Sequence, residues 1–174
     1  RQRYDNPFMG SEFYILYGKV EAEIKAASGT GIISSIYLQN DDLDEIDMIE
    51  TFGSFPHKFQ TNFFIKGDTS NHDRGVYHTS HLPVTTDYNK IAIVWTRDKI
   101  MWYYNDHLIR EVHNGNPHGF PSSPMSIRIS LWAGGDDTNS EGTIEWAGGT
   151  TDYTQLPVSM HLRNLYILDD TTGI

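Results

Sequence analysis

Residues 90–112 are KIAIVWTRDKIMWYYNDHLIREV. Three apolar runs, at 90–96, 100–104 and 107–112, are separated only by Arg97-Asp98-Lys99 and by Asn105-Asp106. Runs rich in Ile, Val, Trp and Tyr favour strands, because branched and ring side chains pack well on a pleated surface. Connections this short join antiparallel neighbours, so two in succession predict a β-meander. No stretch of the chain keeps a helical period for three turns.

Outward from the meander the same period-2 signal recurs. In GKVEAEIKA (18–26), Val20, Ala22, Ile24 and Ala26 face one way and Lys19, Glu21, Glu23 and Lys25 the other. The turn SGTG (28–31) leads into IISSIYLQ (32–39), and Asp41-Asp42 opens an acidic strand. FQTNFFIK (59–66) sets Phe59, Thr61, Phe63 and Ile65 against Gln60, Asn62, Phe64 and Lys66. MSIRISLW (125–132) buries Met125, Ile127, Ile129 and Leu131 and presents Ser126, Arg128, Ser130 and Trp132, and a last strand falls near MHLRNLYIL (160–168). Short strands at regular spacing with Gly, Pro and Asn turns predict an all-β, two-sheet antiparallel sandwich. No repeat or linker divides the chain, so residues 1–174 form one domain. The long connections, 67–87 and 133–157, are where function concentrates in a compact domain.

A chain of 174 residues buries about 70% of its unfolded surface. Its 38% hydrophobic and 21% charged content is that of a globular protein, not a disordered one. The net charge of −10 excludes nucleic acid as a phosphate-backbone partner. No apolar run approaches the roughly 20 residues of a membrane span, and RQRYDNPFMG has no signal-peptide core. With no cysteine there is neither a disulfide nor a thiolate metal site, and no Asn-x-Ser/Thr sequon occurs.

The acidic strand contains DEIDMIE (44–50). Alternation puts Glu45 and Asp47 on one face and Ile46 and Met48 on the other. Glu50 breaks that pattern and would point into the core unless an extra residue is absorbed by a β-bulge at Met48-Ile49. With the bulge, three acids line one surface, where their mutual repulsion destabilises the fold and points to chemistry. A solvated acidic edge is the plainer reading, since residues 41–50 hold six acids: Asp41, Asp42, Asp44, Glu45, Asp47 and Glu50. An EF-hand calcium loop is disfavoured by the missing glycine and flanking helices. Paired-carboxylate glycoside hydrolysis is the third reading.

The polar faces add amide, guanidinium and aromatic groups: Gln60, Asn62, Phe64, Arg128 and Trp132, with Trp146 in a Gly-rich loop. Such a set suits a sugar, which needs fork-shaped hydrogen-bond partners and flat apolar faces. Trp95 and Trp102 read as core. His57, His72 and His118 read as surface-loop residues, no HExxH occurs, and no metal site is assigned. GxSxG, GxxxxGK[ST] and GxGxxG are absent.

DEIDMIE resembles the active-site signature of glycoside hydrolase family 16, retaining enzymes with a concanavalin-like β-jelly-roll and a concave substrate cleft. YGKVEAEIKAA, GIISSIYLQNDDLDEID, QTNFFIKGDTSNHDRG, VWTRDKIMWYYNDHLIREV and ISLWAGGD…SEGTIEWAGGTTDY resemble the fungal Crh cell-wall chitin–glucan transglycosylases over residues 11–168. The acid spacing, Glu-x-Asp-x-x-Glu, is similar instead to the laminarinase-like branch, whereas the Crh pattern is Glu-x-Asp-x-Glu. The resemblance implies Glu45 as nucleophile, Glu50 as general acid and base, and Asp47 as the residue that helps keep Glu50 protonated. It implies a substrate-binding face of Gln60, Asn62, Phe64, Lys66, Arg74, Arg128, Trp132 and Trp146. The implied activity is transglycosylation or hydrolysis of chitin or β-1,3-glucan, with an oligosaccharide acceptor, outside the cell in the wall, by a monomer. No cofactor is required, and a structural calcium ion is compatible. The resemblance also implies that the chain is a catalytic-domain fragment. The rival activities are a mainly hydrolytic endo-β-1,3(4)-glucanase and a non-catalytic lectin-like sandwich.

Overall fold

The computed structural model describes residues 6–170. Its strands are β1 (Phe8–Gly10), β2 (Gly18–Lys25), β3 (Ile32–Gln39), β4 (Glu45–Phe52), β5 (Lys58–Phe64) and β6 (Val76–Thr79). They continue with β7 (Asn89–Trp95), β8 (Lys99–Tyr104), β9 (His107–His113), β10 (Ser126–Ala133) and β11 (His161–Asp169), and one short helix, α1 (Glu141–Trp146), precedes β11. One sheet has the order β1-β10-β3-β4-β5-β6 and the other β11-β2-β7-β8-β9, all antiparallel. The meander is β7-β8-β9, and the two sheets make the sandwich that the strand alternation predicts.

The core lies between the sheets and is filled by the inward half of each alternating strand. Val20, Ala22, Ile24, Ile91, Ile93, Trp95, Ile100 and Trp102 meet Ile36, Leu38, Ile46, Met48, Ile49, Phe59, Phe63 and Ile127, all buried. Each such aliphatic or aromatic side chain contributes about 1.5–3 kcal/mol on leaving water. Trp95 and Trp102 also bury their indole N–H groups with partners, donating to the carbonyls of Pro121 (3.2 Å) and Asp47 (2.9 Å). In β10, Ile129 packs against the core while only half-buried, and Leu131 is half-buried as well.

The long connections contain structure that the sequence does not announce. Residues 67–87 hold a 3-10 turn, His72–Arg74, and the edge strand β6, while 133–157 hold α1 and a second 3-10 turn, Tyr153–Gln155. Trp146 therefore ends a helix rather than sitting in a loop. Ser140 caps that helix by accepting the N–H of Thr143 (3.2 Å). No helix among the described residues is long and apolar enough to cross a membrane.

Candidate active site

The acidic strand carries the expected bulge. On one side β4 pairs with β3 as Glu45↔Gln39, Asp47↔Tyr37 and Glu50↔Ser35. On the other it pairs with β5 as Glu45↔Phe64, Asp47↔Asn62 and Glu50↔Gln60. Both neighbours advance by two residues from each acid to the next, although β4 spends an extra residue between Asp47 and Glu50. The surplus is absorbed inward: Met48 and Ile49 both point into the core, each 0% exposed. Trp102 of the opposite sheet donates its indole N–H to the carbonyl of Asp47, where the bulge starts. Deleting Ile49 should leave the acids on one face but empty a core position. A fall in stability of about 2–5 kcal/mol is expected in denaturant titration, with the protein still folded.

Residues on the outer face of a sandwich ordinarily contact water. Here Asp47, Gln60, Ser35, Ser126, Ile33 and Phe52 on that face are all buried, so the face is walled into a cleft. Rows across the sheet can be read from the register. Ser126, Gln39, Glu45 and Phe64 form one row, and Arg128, Tyr37, Asp47 and Asn62 the next. Ser130, Ser35, Glu50, Gln60 and Tyr77 form the third.

Three acids this close cannot all hold a charge. Burial first, then the charge of Glu45, pushes Glu50 up to about 8. Asp47 is held well above the usual carboxylate range by burial, then by the charges of Glu45 and Glu50 and a hydrogen bond with Glu45. Among the described residues no N–H or O–H group reaches its Oδ2. The three acids titrate as a set. Behind the strand, the Arg110 guanidinium donates to the carbonyl and hydroxyl of Thr61 (both 2.9 Å) and lies 4.6 Å over the Trp102 ring. Its charge is the counterweight that pulls Asp47 partly back down.

At the Glu50 end the cleft is aromatic. Trp132 and Trp146 stack with centroids 6.0 Å apart, and Trp146 meets Phe52 edge-on at 5.1 Å. Trp146 donates its indole N–H to Gln60 Oε1 (2.8 Å), tying α1 to the row that holds Glu50. Gly135 allows the chain beyond α1 to close over the sheet: a Cβ there would lie 2.1 Å from the carbonyl oxygen of Gly149. Lys58 sits 3.9 Å over the Tyr77 ring beside Phe52 and Phe55.

The fold thus brings Gln60, Asn62, Phe64, Arg128, Trp132 and Trp146 to the acids' face, and leaves two others out. Lys66 is exposed beyond β5, where Lys66 and Gly67 take left-handed angles (φ 50° and 68°) and turn the chain off the sheet. Arg74 is buried among loop carbonyls, donating to His118 and Asp68 (both 2.9 Å) over the ring of core Phe63. Asp44 is structural: its carboxylate accepts the Lys66 N–H at 2.9 Å, and only Asp41 and Asp42 form the solvated edge. Sequence reading missed Gln39, Tyr37, Ser35, Tyr77, Lys58 and Arg110. The alternation of IISSIYLQ carried a signal for the first three, since it places them on one face. No group of three or more His, Asp or Glu among the described residues could hold a metal ion.

This sandwich, with an acid row on a bulged strand inside an aromatic-walled cleft, belongs to glycosyl hydrolases family 16, whose pattern matches residues 1–148. Within that family the chain is similar to Crh-like protein CRH12 of Candida albicans, 53% identical over 97% of this chain and 33% of that one. It is similar as well to Congo red hypersensitive protein 1 of Saccharomyces cerevisiae, 48% identical over 99% of this chain and 34% of the relative. The chain therefore spans about a third of the length of these relatives. Among solved structures, Crh5 transglycosylase in complex with NAG superposes with a TM-score of 0.92 at 40% identity, covering 97% of this chain and 70% of that one. A Bacillus licheniformis β-glucanase superposes at 0.76 with 25% identity over 94% and 71%.

Proposed function

We propose that the protein is a retaining transglycosylase of cell-wall β-glycans. Glu45 attacks the anomeric carbon of the donor polysaccharide, the glycosidic C–O bond breaks, and Glu50 gives its proton to the departing oxygen. The product is a glycosyl ester on Glu45. Esterification removes the Glu45 charge that helps hold the proton on Glu50, so Glu50 is then free to act as base. It takes the proton of an acceptor hydroxyl as that oxygen attacks the anomeric carbon and releases Glu45. Two inversions leave the β configuration unchanged. Asp47 lies between the two acids and titrates with them as a set.

The alignment of the three acids on one face of the bulged β4 is the observation that carries this reading, and the upward push on Glu50 from burial and Glu45 supports it. A lectin-like sandwich has no use for an arrangement that costs stability. The stacked Trp132 and Trp146 supply a flat platform for an acceptor sugar near Glu50, which favours transfer over hydrolysis. The similarity to Crh5 transglycosylase, solved in complex with NAG, and to a β-glucanase supports chitin and β-glucan as the substrate class, and a secreted, wall-associated setting goes with those substrates. The acids and aromatic walls come from one chain, which is in keeping with action as a monomer. The test is incubation with chitin or β-1,3-glucan donors and a fluorescent β-glucan oligosaccharide. Label moving into polymer is expected. Reducing ends released at the same rate with no label transferred would make the protein a hydrolytic glucanase, and binding without any product would make it a lectin.

A further inference from the structure

Glu45 Oε2 accepts a hydrogen bond from the side-chain amide of Gln39, its cross-strand neighbour on β3. The other end of that amide, Oε1, accepts from Nη1 of Arg128 on β10. Arg128 is itself held, because its Nε donates to Ser126 Oγ (3.1 Å), and Ser126 Oγ donates to the Gln39 carbonyl (3.1 Å). These contacts fix which way the amide points. A guanidinium has donors only, so Gln39 must turn its oxygen toward Arg128 and its NH2 toward Glu45.

We infer that Gln39 and Arg128 are positioning residues that hold the Glu45 carboxyl for attack, Arg128 acting through Gln39 and not on the sugar. The inference rests on the proposed role of Glu45. Its chemical logic lies in what a relay achieves that a direct contact would not. An Arg–carboxylate fork takes both oxygens and binds them strongly. One neutral amide bond occupies Oε2 alone, fixes the plane of the carboxyl, and sets the arginine charge one side chain back. Arg128 thus commits its Nε and an Nη1 N–H to the protein, and its part in the relay is to hold Gln39.

The experiment measures kcat and KM on an aryl β-glycoside of a β-1,3-glucan oligosaccharide for Gln39→Met, Arg128→Met and the double variant. Gln39→Met is expected to lower kcat by about 10- to 100-fold with KM within about twofold, as for a misplaced reacting group. Arg128→Met should lower kcat by about tenfold by letting the amide turn over, and Arg128→Lys should restore part of that. The double variant should match Gln39→Met alone, since the relay is then already broken at its last link. Additive losses, or a rise in KM with unchanged kcat for Arg128→Met, would place Arg128 on the substrate and overturn the relay. If Gln39→Met fails to fold, the near-isosteric Gln39→Glu replaces it. Its carboxylate pairs with Arg128 and turns an acceptor toward Glu45, so kcat must fall at least as far, and an unchanged kcat refutes the inference. Glu45→Ala supplied with azide separates the two levels. Failure to form a glycosyl azide removes the nucleophile role itself, whereas azide product together with wild-type kcat in the Gln39 variant removes only the relay.

Discussion

Glu45→Gln is expected to lower turnover of β-glucan or chitin oligosaccharides by about three orders of magnitude or more, with the fold intact. An amide cannot attack an anomeric carbon and then leave as a stable anion. The fold has no reason to suffer. Glutamine is nearly isosteric, its oxygen still accepts from Gln39, and the substitution removes the charge that bears on Asp47 and Glu50. Thermal melting should show equal or raised stability. Activity retained at more than about a tenth of the wild-type rate would remove Glu45 from the mechanism, since no tolerated loss of a nucleophile is that small.

Glu50 gives the second large effect. Its carboxyl, pushed up to about 8, is protonated and competent as an acid below that pH and loses the proton above it. The alkaline limb of kcat/KM, which reports the acid of the free enzyme, should therefore fall near pH 8. Glu50→Gln should abolish that limb and lower turnover of unactivated glycans by about 10²–10⁴-fold, while aryl glycosides with good leaving groups keep a first-step burst. Stability moves with the same proton. Because the folded value lies above the ordinary 4.5, the favourable contribution is complete below pH 4.5 and is lost as pH rises toward 8. The wild type should lose melting temperature across that window relative to Glu50→Gln. An alkaline limb near pH 5, or one unchanged in the variant, would show that another group donates the proton.

Strand positions and inward faces were legible because alternation is a local property. Val20, Ala22 and Ile24 are buried as their spacing indicates, and the misfit of Glu50 revealed the bulge without any coordinates. What stayed hidden depends on distant pairing. The helix α1 has six residues and contains Gly142, too short for a period to register, and it stands because its Trp146 packs on Phe52 and Trp132. The edge strand β6, VYHT, is mostly exposed and so shows no alternation. Gln39 and Arg128 are 89 positions apart, and only the order β10-β3-β4 brings one to the other and both to Glu45. Arg74 lies away from the acids because a basic side chain in an irregular segment can be claimed by that segment's own carbonyls.

The acid spacing has a physical resolution as well. Both neighbours of β4 step evenly by two residues past Glu45, Asp47 and Glu50, so the long spacing presents the acids as the short one would. The extra residue is absorbed in the core by Met48 and Ile49 and not on the face that carries the acids.

The measurement that bears most directly on the double-displacement mechanism is capture of its covalent intermediate. The protein is treated with a 2-deoxy-2-fluoro β-glucosyl oligosaccharide carrying a good leaving group, digested and sequenced by mass spectrometry. One glycosyl unit on Glu45, discharged when an oligosaccharide acceptor is added, is the result expected. A label on Asp47 or Glu50, or rapid turnover to a product of inverted configuration with no adduct, would contradict it.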